Sequence, residues 1–489
     1  MLAKVNSAAL YGIDALRVEV EIDLSPGLPQ LATVGLAEGA VRESKDRIRA
    51  AVKNTGYSFP AKKITINLAP ADLKKEGSAY DLPMAVGILA AEGLTQKDRL
   101  KDYFLVGELS LDGEVKPVRG VLPIAVAAKR ERFKGIILPQ WNGPEAAVIQ
   151  EIEVLGIRHL HEVVEFLNGD RSIESTTVNL EELFSRHCQY DSDFTEVKGQ
   201  QHVKRALEVA AAGAHNVIMV GPPGSGKTML AKRLPTILPD LTLSEALETT
   251  KIHSVMGLLD GKPIIATRPF RSPHHTISDA GLVGGGTVPK PGEVSLAHNG
   301  VLFLDELPEF KRNVLEVLRQ PLEDGNITVS RAIGSINYPA RFMLISAMNP
   351  CPCGFFTDPQ KECGCTPVQI QRYRSKVSGP LLDRIDIQIE VPALRYQELA
   401  SRDAGEPSSA IRDRVNRARK IQLRRFQKRG IHANAQMGSK DIRRHCALNE
   451  ASERLLETAI NKLGLSARAY SRVLKVGRTI ADLEGSEDI

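Results

Sequence analysis

The stretch that decides the fold reads Asn216-Val-Ile-Met-Val-Gly-Pro-Pro-Gly-Ser-Gly-Lys-Thr228. Its apolar run, 217–220, predicts a short buried strand that leads directly into a glycine-rich loop. The loop, 221–228, matches the phosphate-binding pattern G-x-x-x-x-G-K-[ST] at every fixed position. Because residues 228–234 continue as a helix-forming run, the pattern predicts the strand–loop–helix unit that phosphate binding requires.

The loop residues suit a polyphosphate. Backbone N–H groups wrap its oxygens, and glycine is needed where the chain turns tightly. Lys227 is expected to neutralise the β and γ phosphates, and the Thr228 hydroxyl is expected to ligate Mg²⁺. A chance match in a loop is the alternative. The predicted ATP-binding set in the loop is Gly221, Pro222, Pro223, Gly224, Ser225, Gly226, Lys227 and Thr228.

Two later apolar runs end in polar side chains. Residues 301–304 are followed by Asp305 and Glu306, and residues 342–346 end near Asn349. Strands that alternate with helices predict a parallel α/β sheet, and ligands gather at the carboxyl ends of its strands. Asp305 is expected to bind ATP by holding Mg²⁺ through its water shell, and Glu306 to polarise the attacking water. A solvated turn is the alternative for both carboxylates.

The composition is ordinary for a globular protein of several domains. The chain has 489 residues, 42% of them hydrophobic and 25% charged, with a formal net charge of +5. This length predicts roughly three domains. No stretch approaches ~18 uninterrupted apolar residues, and the amino terminus lacks the apolar region of a secretory signal. We therefore expect no membrane span and a cytoplasmic location.

The pattern along the chain divides it into four parts. Residues 1–168 alternate strand-like and helix-like runs and predict an α+β domain. Residues 169–196 are mostly acidic where they are charged and predict a linker. Residues 197–394 hold the phosphate loop and its sheet, with a cysteine-rich insert at 350–367. Residues 395–489 predict helices with basic faces.

Four of the six cysteines fall within fifteen residues: Cys351, Cys353, Cys363 and Cys365. Four thiolates at this spacing can close a tetrahedral Zn²⁺ site. The polar loop between the two pairs has no hydrophobic period, so it would need a metal to hold a fixed shape. Because the pairs are C-x-C and not the commoner C-x-x-C, free thiols or a redox pair remain alternatives. Three histidines are alternative ligands: His274, His275 and His298.

Longer segments extend the pattern beyond the loop. They are Ala212-Gly-Ala-His-Asn216, Arg268-Pro-Phe-Arg-Ser-Pro-His-His-Thr-Ile-Ser278, Gly300-Val-Leu-Phe-Leu-Asp-Glu306, Asn349-Pro-Cys-Pro-Cys-Gly354 and Ser378-Gly-Pro-Leu-Leu-Asp-Arg-Ile-Asp386. With them, essentially the whole chain resembles the YifB/ComM family of magnesium-chelatase-like ATPases. The resemblance implies a P-loop AAA+ core of the α/β class with a helical lid, preceded by a Lon-protease-like α+β domain. It also implies that relatives run slightly beyond Ile489.

The resemblance implies further catalytic residues. Asn349 would hold the lytic water or the γ-phosphate. Arg384 would act as a finger that completes the site of a neighbouring subunit, and Arg468 would be a second sensor on the lid, with Arg472 as a substitute. A surface salt bridge is the alternative for each arginine. The implied assembly is a homo-hexameric ring.

The Lon-like domain is expected to be proteolytically inactive. The chemistry of Lon needs a serine that is activated by a lysine. Ser78 lies near the expected serine position, but the lysine position falls near Leu122, which offers no amine. This domain is therefore expected to be a scaffold.

Residues 411–430 contain nine arginines or lysines and one acidic residue. A helix with this density suits a phosphate backbone, although a solvated face or charges at ring contacts fit equally well. Basic groups in insertions of the core could line a ring pore. The residues expected to contact DNA are Lys290, Arg331, Arg414, Arg417, Arg424 and Arg425.

Two functions fit these features. The first is a ring ATPase that couples ATP hydrolysis to translocation or remodelling of branched or single-stranded DNA, as the ComM branch does in natural transformation. The second is a motor subunit that remodels a protein partner, as the magnesium-chelatase motor does. The basic helix and the fusion to a Lon-like domain favour DNA. The expected cofactors are ATP, Mg²⁺ and a structural Zn²⁺.

Overall fold

The computed structural model describes residues 1–36, 39–75, 77–187, 190, 192–286, 289–331, 334–359, 361–394, 405–427 and 430–489. These residues form two compact units. The first unit is Met1–His187 with Ala246–Ala266, and the second is Cys188–Glu245 with Thr267–Ile489.

The first unit is an α+β domain. Its strands are β1 Leu2–Tyr11, β2 Asp14–Ser25, β3 Gln30–Val34, β4 Lys63–Ala69, β5 Tyr103–Leu105, β6 Glu108–Leu109, β7 Val115–Lys116, β8 Gly135–Pro139 and β9 Glu153–Ile157. Seven of them form one mixed sheet in the order β3-β4-β2-β1-β5-β8-β9, while β6 pairs with β7. The helices within residues 1–187 are Gly39–Asn54, Asp81–Glu92, Val121–Arg130, Gly143–Ala146, Leu160–Asn168 and Leu180–His187.

The sequence pattern explains this sheet. In β2, Val18, Val20 and Ile22 are fully buried, while the residues between them face away from the core. This alternation is what a half-buried strand requires. The helix Asp81–Glu92 is apolar on nearly all sides and lies inside the same core. The α+β class that the sequence predicts for this part of the chain is confirmed.

The second unit carries a five-stranded, wholly parallel sheet. Its strands are β10 Val217–Val220, β11 Phe270–Arg271, β14 Val301–Leu304, β17 Met343–Met348 and β18 Ile387–Glu390, and their order is β11-β14-β17-β10-β18. Two hairpins lie outside the sheet: β12 Gly284–Gly285 with β13 Lys290–Pro291, and β15 Asn326–Arg331 with β16 Gly334–Pro339. This arrangement confirms the α/β class.

The helices flank this sheet and extend beyond it. Those before β17 are Gln201–Gly213, Lys227–Arg233, Leu243–Met256 (which starts in this unit), Asp279–Val283, Glu293–Leu296, Arg312–Glu316 and Arg319–Asp324. Those after it are Pro367–Arg374, Gly379–Leu382, Ser408–Arg425, Ser439–His445, Glu450–Leu463 and Ala467–Glu484. The helices Ser408–Arg425 and Ala467–Glu484 both pack on Gln201–Gly213, so the helical carboxy-terminal part is attached to the core.

A buried polar network fixes that attachment. The His215 ring bonds the Thr479 hydroxyl at 2.8 Å and lies 3.3 Å from Asp386 Oδ2. Asn434 bonds the same hydroxyl at 3.1 Å. Since each polar group is satisfied inside the protein, the last helix has one favoured position on the core.

Within the described ranges, no helix combines the length and apolar character needed to cross a bilayer.

The close pairing of β8 and β9 makes a stability prediction. A Cβ added at Gly135 would lie 2.2 Å from the carbonyl oxygen of Glu153, and a backbone atom cannot move aside cheaply. We expect Gly135→Ala to lower the free energy of unfolding by about 1–3 kcal/mol, measured by denaturant titration. Gly39→Ala, with nothing within 4 Å of the added atom, is the control. Equal unfolding midpoints for the two variants would contradict this packing.

Candidate nucleotide and metal sites

The glycine-rich loop connects β10 to the helix Lys227–Arg233. Gly224 and Gly226 have φ values of +76° and +89°, which favour glycine over residues with a side chain. Gly221 is needed for another reason, because a Cβ there would lie 2.1 Å from the carbonyl oxygen of Val391, just after β18. The loop therefore has the backbone shape that its glycines predict.

Lys227 lies inside the loop. Its Nζ donates to the carbonyl oxygens of Gly221 at 2.7 Å and Pro222 at 2.8 Å, and to Asn349 Oδ1 at 3.3 Å. Burial lowers the pKa of this ammonium, while the charge of Asp305 acts in the opposite direction. The lysine of the loop and the amide that follows β17 thus meet at one point.

Asp305 joins the loop to the end of β14. The Thr228 hydroxyl donates to Asp305 Oδ2 at 2.7 Å, and the other carboxylate oxygen accepts from the backbone N–H of Glu306 at 3.0 Å. Glu306 adopts a left-handed backbone with φ of +51°, and its side chain is 62% exposed. Its carboxylate lies 3.6 Å from His275 Nδ1, so it points away from the core. A left-handed backbone at a residue that carries a side chain is typical of functional sites.

The donor set fits a magnesium–triphosphate. Mg²⁺ prefers a few oxygen ligands and keeps several waters. One hydroxyl and one carboxylate oxygen within hydrogen-bond distance of each other, beside a buried ammonium, offer that arrangement. The edge of the sheet where β10, β14 and β17 end carries five predicted site residues: Lys227, Thr228, Asp305, Glu306 and Asn349.

A cavity of about 450 Å³ opens beside Glu306 and Asn349. Tyr373 also lines this cavity, and burial raises the pKa of its phenol to about 12. Other lining residues are Pro352, Gln369, Arg372 and Lys376. These lining residues are not predicted from the sequence. Their one signal is the capping box at Thr366 and Gln369, which starts a helix directly after the cysteines.

Arg384 and Arg468 converge on one carboxylate, Glu323. Arg384 is 8% exposed and forms an ion pair with Glu323, and Arg468 Nη2 lies 3.3 Å from the same oxygen. Arg472 instead donates to the carbonyl oxygen of Ile385 at 2.6 Å and pairs with Asp383 at 3.4 Å. The two predicted arginines are therefore neighbours.

These arginines lie away from the phosphate loop. They line a cavity of about 760 Å³ together with Asn216, Gly300 and Met343. Those three residues stand where β10, β14 and β17 begin, whereas the loop and Asp305 stand where strands end. Arg384 and Arg468 thus occupy the opposite edge of the sheet from Lys227 in the same chain.

The four clustered cysteines come together. Their sulfur atoms all lie within 4.8 Å of one another, and Cys351 Sγ is 3.3 Å from Cys353 Sγ and 3.6 Å from Cys363 Sγ. Zn–S bonds of about 2.3 Å in a tetrahedron require similar separations. A backbone N–H from Phe355 and the Cys351 thiol lower the pKa of Cys353 to about 6. The thiols are free, and their number and spacing fit a thiolate-bound metal.

The three histidines lie elsewhere. The rings of His274 and His275 are tilted by 34° with their centroids 4.1 Å apart, and His298 is buried and accepts from the backbone N–H of Arg341 at 3.0 Å. Among the described residues, the metal-compatible cluster consists of the four cysteines. Cys188 lies outside the described residues.

The predicted DNA contacts divide into two groups. Arg414 pairs with Glu208 and Glu406, and Arg425 forms a two-fold ion pair with Asp482. Because both guanidinium groups are already paired with carboxylates of the same unit, we do not propose Arg414 and Arg425 as DNA contacts.

The other group remains accessible. Arg417, Arg424 and Lys290 are exposed, and no ion pair involves them within the described part of the chain. Arg331 belongs to β15, but its side chain lies outside the described residues, as do Lys428 and Arg429. The exposed basic surface is therefore narrower than the sequence count suggests.

In the first unit, the Ser78 hydroxyl bonds the Glu108 carboxylate, and Leu122 is fully buried at the start of a helix. Nearby, Asp81 is buried and pairs with Arg47 at 2.8 Å. A serine protease of the Lon type needs a lysine amine beside its hydroxyl, and the partner of Ser78 here is acidic.

Comparisons with known proteins agree with this architecture. Residues 193–399 match the family model "Magnesium chelatase, subunit ChlI", residues 20–142 match "Subunit ChlI of Mg-chelatase", and residues 405–489 match "Magnesium chelatase, subunit ChlI C-terminal". The chain is 48% identical to competence protein ComM of Haemophilus influenzae, covering all of this chain and 95% of that protein. It is 46% identical to protein YifB of Escherichia coli, covering all of this chain and 94% of that protein. A Lon protease of Roseiflexus castenholzii is 28% identical over 30% of this chain and 19% of its own length, which supports a Lon-like fold for the amino-terminal domain.

Proposed function

The chain belongs to the ComM/YifB family of magnesium-chelatase-like AAA+ proteins, and on this premise we propose that it is a ring-forming ATPase that remodels DNA. The observation that carries the ATPase is the contact of the Thr228 hydroxyl with Asp305 at 2.7 Å, beside Lys227. Both side chains would hold Mg²⁺, which neutralises phosphate charge when it is bound.

Each residue then has one task in hydrolysis. Lys227 binds the outer phosphates. Glu306, exposed next to the 450 Å³ cavity, orients and deprotonates the attacking water. Asn349 accepts a hydrogen bond from Lys227 at 3.3 Å. Because Lys227 binds the γ-phosphate, Asn349 links the position of that phosphate to the end of β17.

The arginines support a ring. Since Arg384 and Arg468 occupy the edge of the sheet opposite the loop, they act on the nucleotide of a neighbouring subunit. A guanidinium supplied by a partner stabilises charge that develops on the γ-phosphate. Each site is then incomplete without a second copy of the chain, and a homo-hexamer is the proposed assembly.

DNA is the proposed substrate of the motor. Arg417 and Arg424 are exposed about two turns apart on the helix Ser408–Arg425, with Lys420 exposed between them. Exposed cations spaced along a helix bind phosphates without sequence preference. Lys290 in a small hairpin adds a candidate pore contact. A protein substrate is the alternative, and the DNA experiment below decides between them.

The segment that carries Cys351, Cys353, Cys363 and Cys365, here called the cysteine turn, is proposed to bind a structural Zn²⁺. The Lon-like unit is proposed to act as a scaffold without protease activity. The four sulfur atoms fit the metal, and the pairing of Ser78 with a glutamate does not fit peptide hydrolysis.

The general-base assignment predicts the behaviour of Glu306→Gln. We expect ATP binding to persist while turnover falls by about 100-fold or more, because the amide cannot accept the proton of water. Steady-state ATPase assays and nucleotide titrations measure the two effects. Glu450→Gln, at an exposed glutamate that pairs with Arg454 outside this cavity, is the matched control and should change turnover little. A loss of less than about tenfold for Glu306→Gln would remove this glutamate from the role.

Zinc content tests the cysteine turn. The purified wild-type protein should carry about one Zn²⁺ per chain, and Cys353→Ser should lose it, since one of four thiolate ligands is removed. Cys446→Ser is the control, because Cys446 is buried away from the cluster. Metal analysis that finds the same zinc content in Cys353→Ser as in wild type would exclude this site.

Forked or Holliday-junction DNA should stimulate ATP turnover, and binding should weaken as salt rises. The double variant Arg417→Ala with Arg424→Ala should bind DNA more weakly and reduce the slope of log affinity against log salt by about 2. Lys53→Ala with Lys63→Ala removes equal charge from exposed positions of the first unit and serves as the control. ATPase activity that DNA leaves unchanged would favour a protein substrate.

A further inference from the structure

The cysteine turn lies directly on the phosphate loop. Gly354, next to Cys353, has a φ of +87°, and a Cβ added there would lie 2.5 Å from Pro223 Cδ and 2.7 Å from Pro223 Cγ. The backbone of the turn therefore packs against the proline ring in the middle of the loop. Only glycine allows both this conformation and this approach.

The same turn also lines the cavity beside the proposed general base. Pro352, between the first two cysteines, lines the 450 Å³ cavity with Glu306 and Asn349. Asn349 precedes Cys351 by two residues, and its Oδ1 accepts from Lys227 Nζ at 3.3 Å. The turn thus contacts the phosphate loop, shares a cavity with the proposed general base and follows the residue that bonds the loop lysine.

Few regular elements hold the turn in place. Between Met348 and Pro367, the described residues form neither helix nor strand. The supports there are local: Arg374 donates to the carbonyl oxygen of Pro350 at 3.1 Å and lies 5.1 Å from the Phe356 ring, and Lys361 lies over Phe355. The four sulfur atoms, two from each half of the turn, lie within 4.8 Å of one another. A bound metal would therefore decide where Gly354 and Pro352 lie.

We propose that the four-cysteine turn is a wall of the nucleotide site, so that a thiolate-bound divalent metal sets the affinity for ATP. This inference rests on the proposed ATPase and zinc assignments. The coupling follows from contact: release of the metal loosens Gly354, the support of Pro223 is lost, and the loop no longer keeps its phosphate-binding shape.

Metal removal is the first test. ATP affinity is measured by calorimetry, with Mg²⁺ supplied, on the protein as purified, after zinc is withdrawn with a chelator and dialysed, and after Zn²⁺ is returned. We expect the zinc-free protein to bind ATP about tenfold or more weakly and Zn²⁺ to restore binding. Unchanged affinity in a zinc-free, folded protein overturns the proposal, as does a purified protein that holds no thiolate-bound metal.

A pair of glycine variants tests the contact while all four thiols stay. Gly354→Ala should keep its zinc but bind ATP about tenfold more weakly, because its Cβ overlaps Pro223. Gly364→Ala makes the same change in the same turn at a position where nothing lies within 4 Å, and it should bind like wild type. In a chain that also carries Pro223→Ala, the Gly354→Ala substitution should weaken ATP binding less than it does in the wild-type chain. Equal ATP affinity in the two glycine variants overturns the proposal.

These arms separate the two claims. If wild type binds no ATP, the proposed function fails. A second outcome is that wild type binds ATP, Lys227→Ala does not, and neither zinc removal nor Gly354→Ala changes the affinity for ATP. In that case the ATPase assignment stands, and the proposed role of the cysteine turn in ATP binding is wrong. Because Gly354→Ala retains its metal ligands, it decides the question even if zinc-free protein unfolds.

Discussion

A single hydrogen bond, from the Thr228 hydroxyl to Asp305, joins the phosphate loop to a strand two positions away in the sheet. It is possible because β10, β17 and β14 run parallel and in register, so their carboxyl ends meet at one edge. Lys227 makes the corresponding contact with the strand between them through Asn349. The proposed nucleotide chemistry, the proposed metal site of the cysteine turn and the proposed ring all depend on this alignment.

The sheet constrains the other edge as well. The same parallel order that brings Asp305 to the loop places Arg384 and Arg468 where the strands begin. One chain therefore holds the predicted ATP-binding residues and the predicted arginine finger on opposite edges of the sheet. In the proposed ring, such a division would make hydrolysis depend on assembly, because the charge-stabilising arginines would come from another copy. Within one chain, Glu323 engages both guanidinium groups.

Much of this fold follows from local sequence signals. The continuous apolar runs at 217–220 and 301–304 give the strands directly, and the third run, predicted at 342–346, is Met343–Met348 in the structure. The glycine spacing of the loop likewise fixes its backbone, since φ is positive at Gly224 and Gly226. These features depend on residues that are close in the chain.

The features that the sequence did not reveal depend on distant partners. Arg468 and Glu323 are 145 residues apart, and Arg414 and Glu208 are 206 apart, so no local pattern predicts these ion pairs. For this reason a count of basic residues overstates how many of them are exposed and unpaired among the described residues. The contact of Gly354 with Pro223 is equally invisible, because it requires the loop after β17 to fold back onto the loop after β10.

The central claim concerns Mg²⁺ and the two side chains that would hold it. Calorimetric titration of ATP into the wild-type protein and into Thr228→Val, with and without Mg²⁺, tests it most directly. The account predicts that Mg²⁺ strengthens ATP binding in wild type and has little effect in Thr228→Val, since the valine offers no oxygen ligand. Absence of ATP binding to wild type in the presence of Mg²⁺, or an equal Mg²⁺ effect in both proteins, would contradict it.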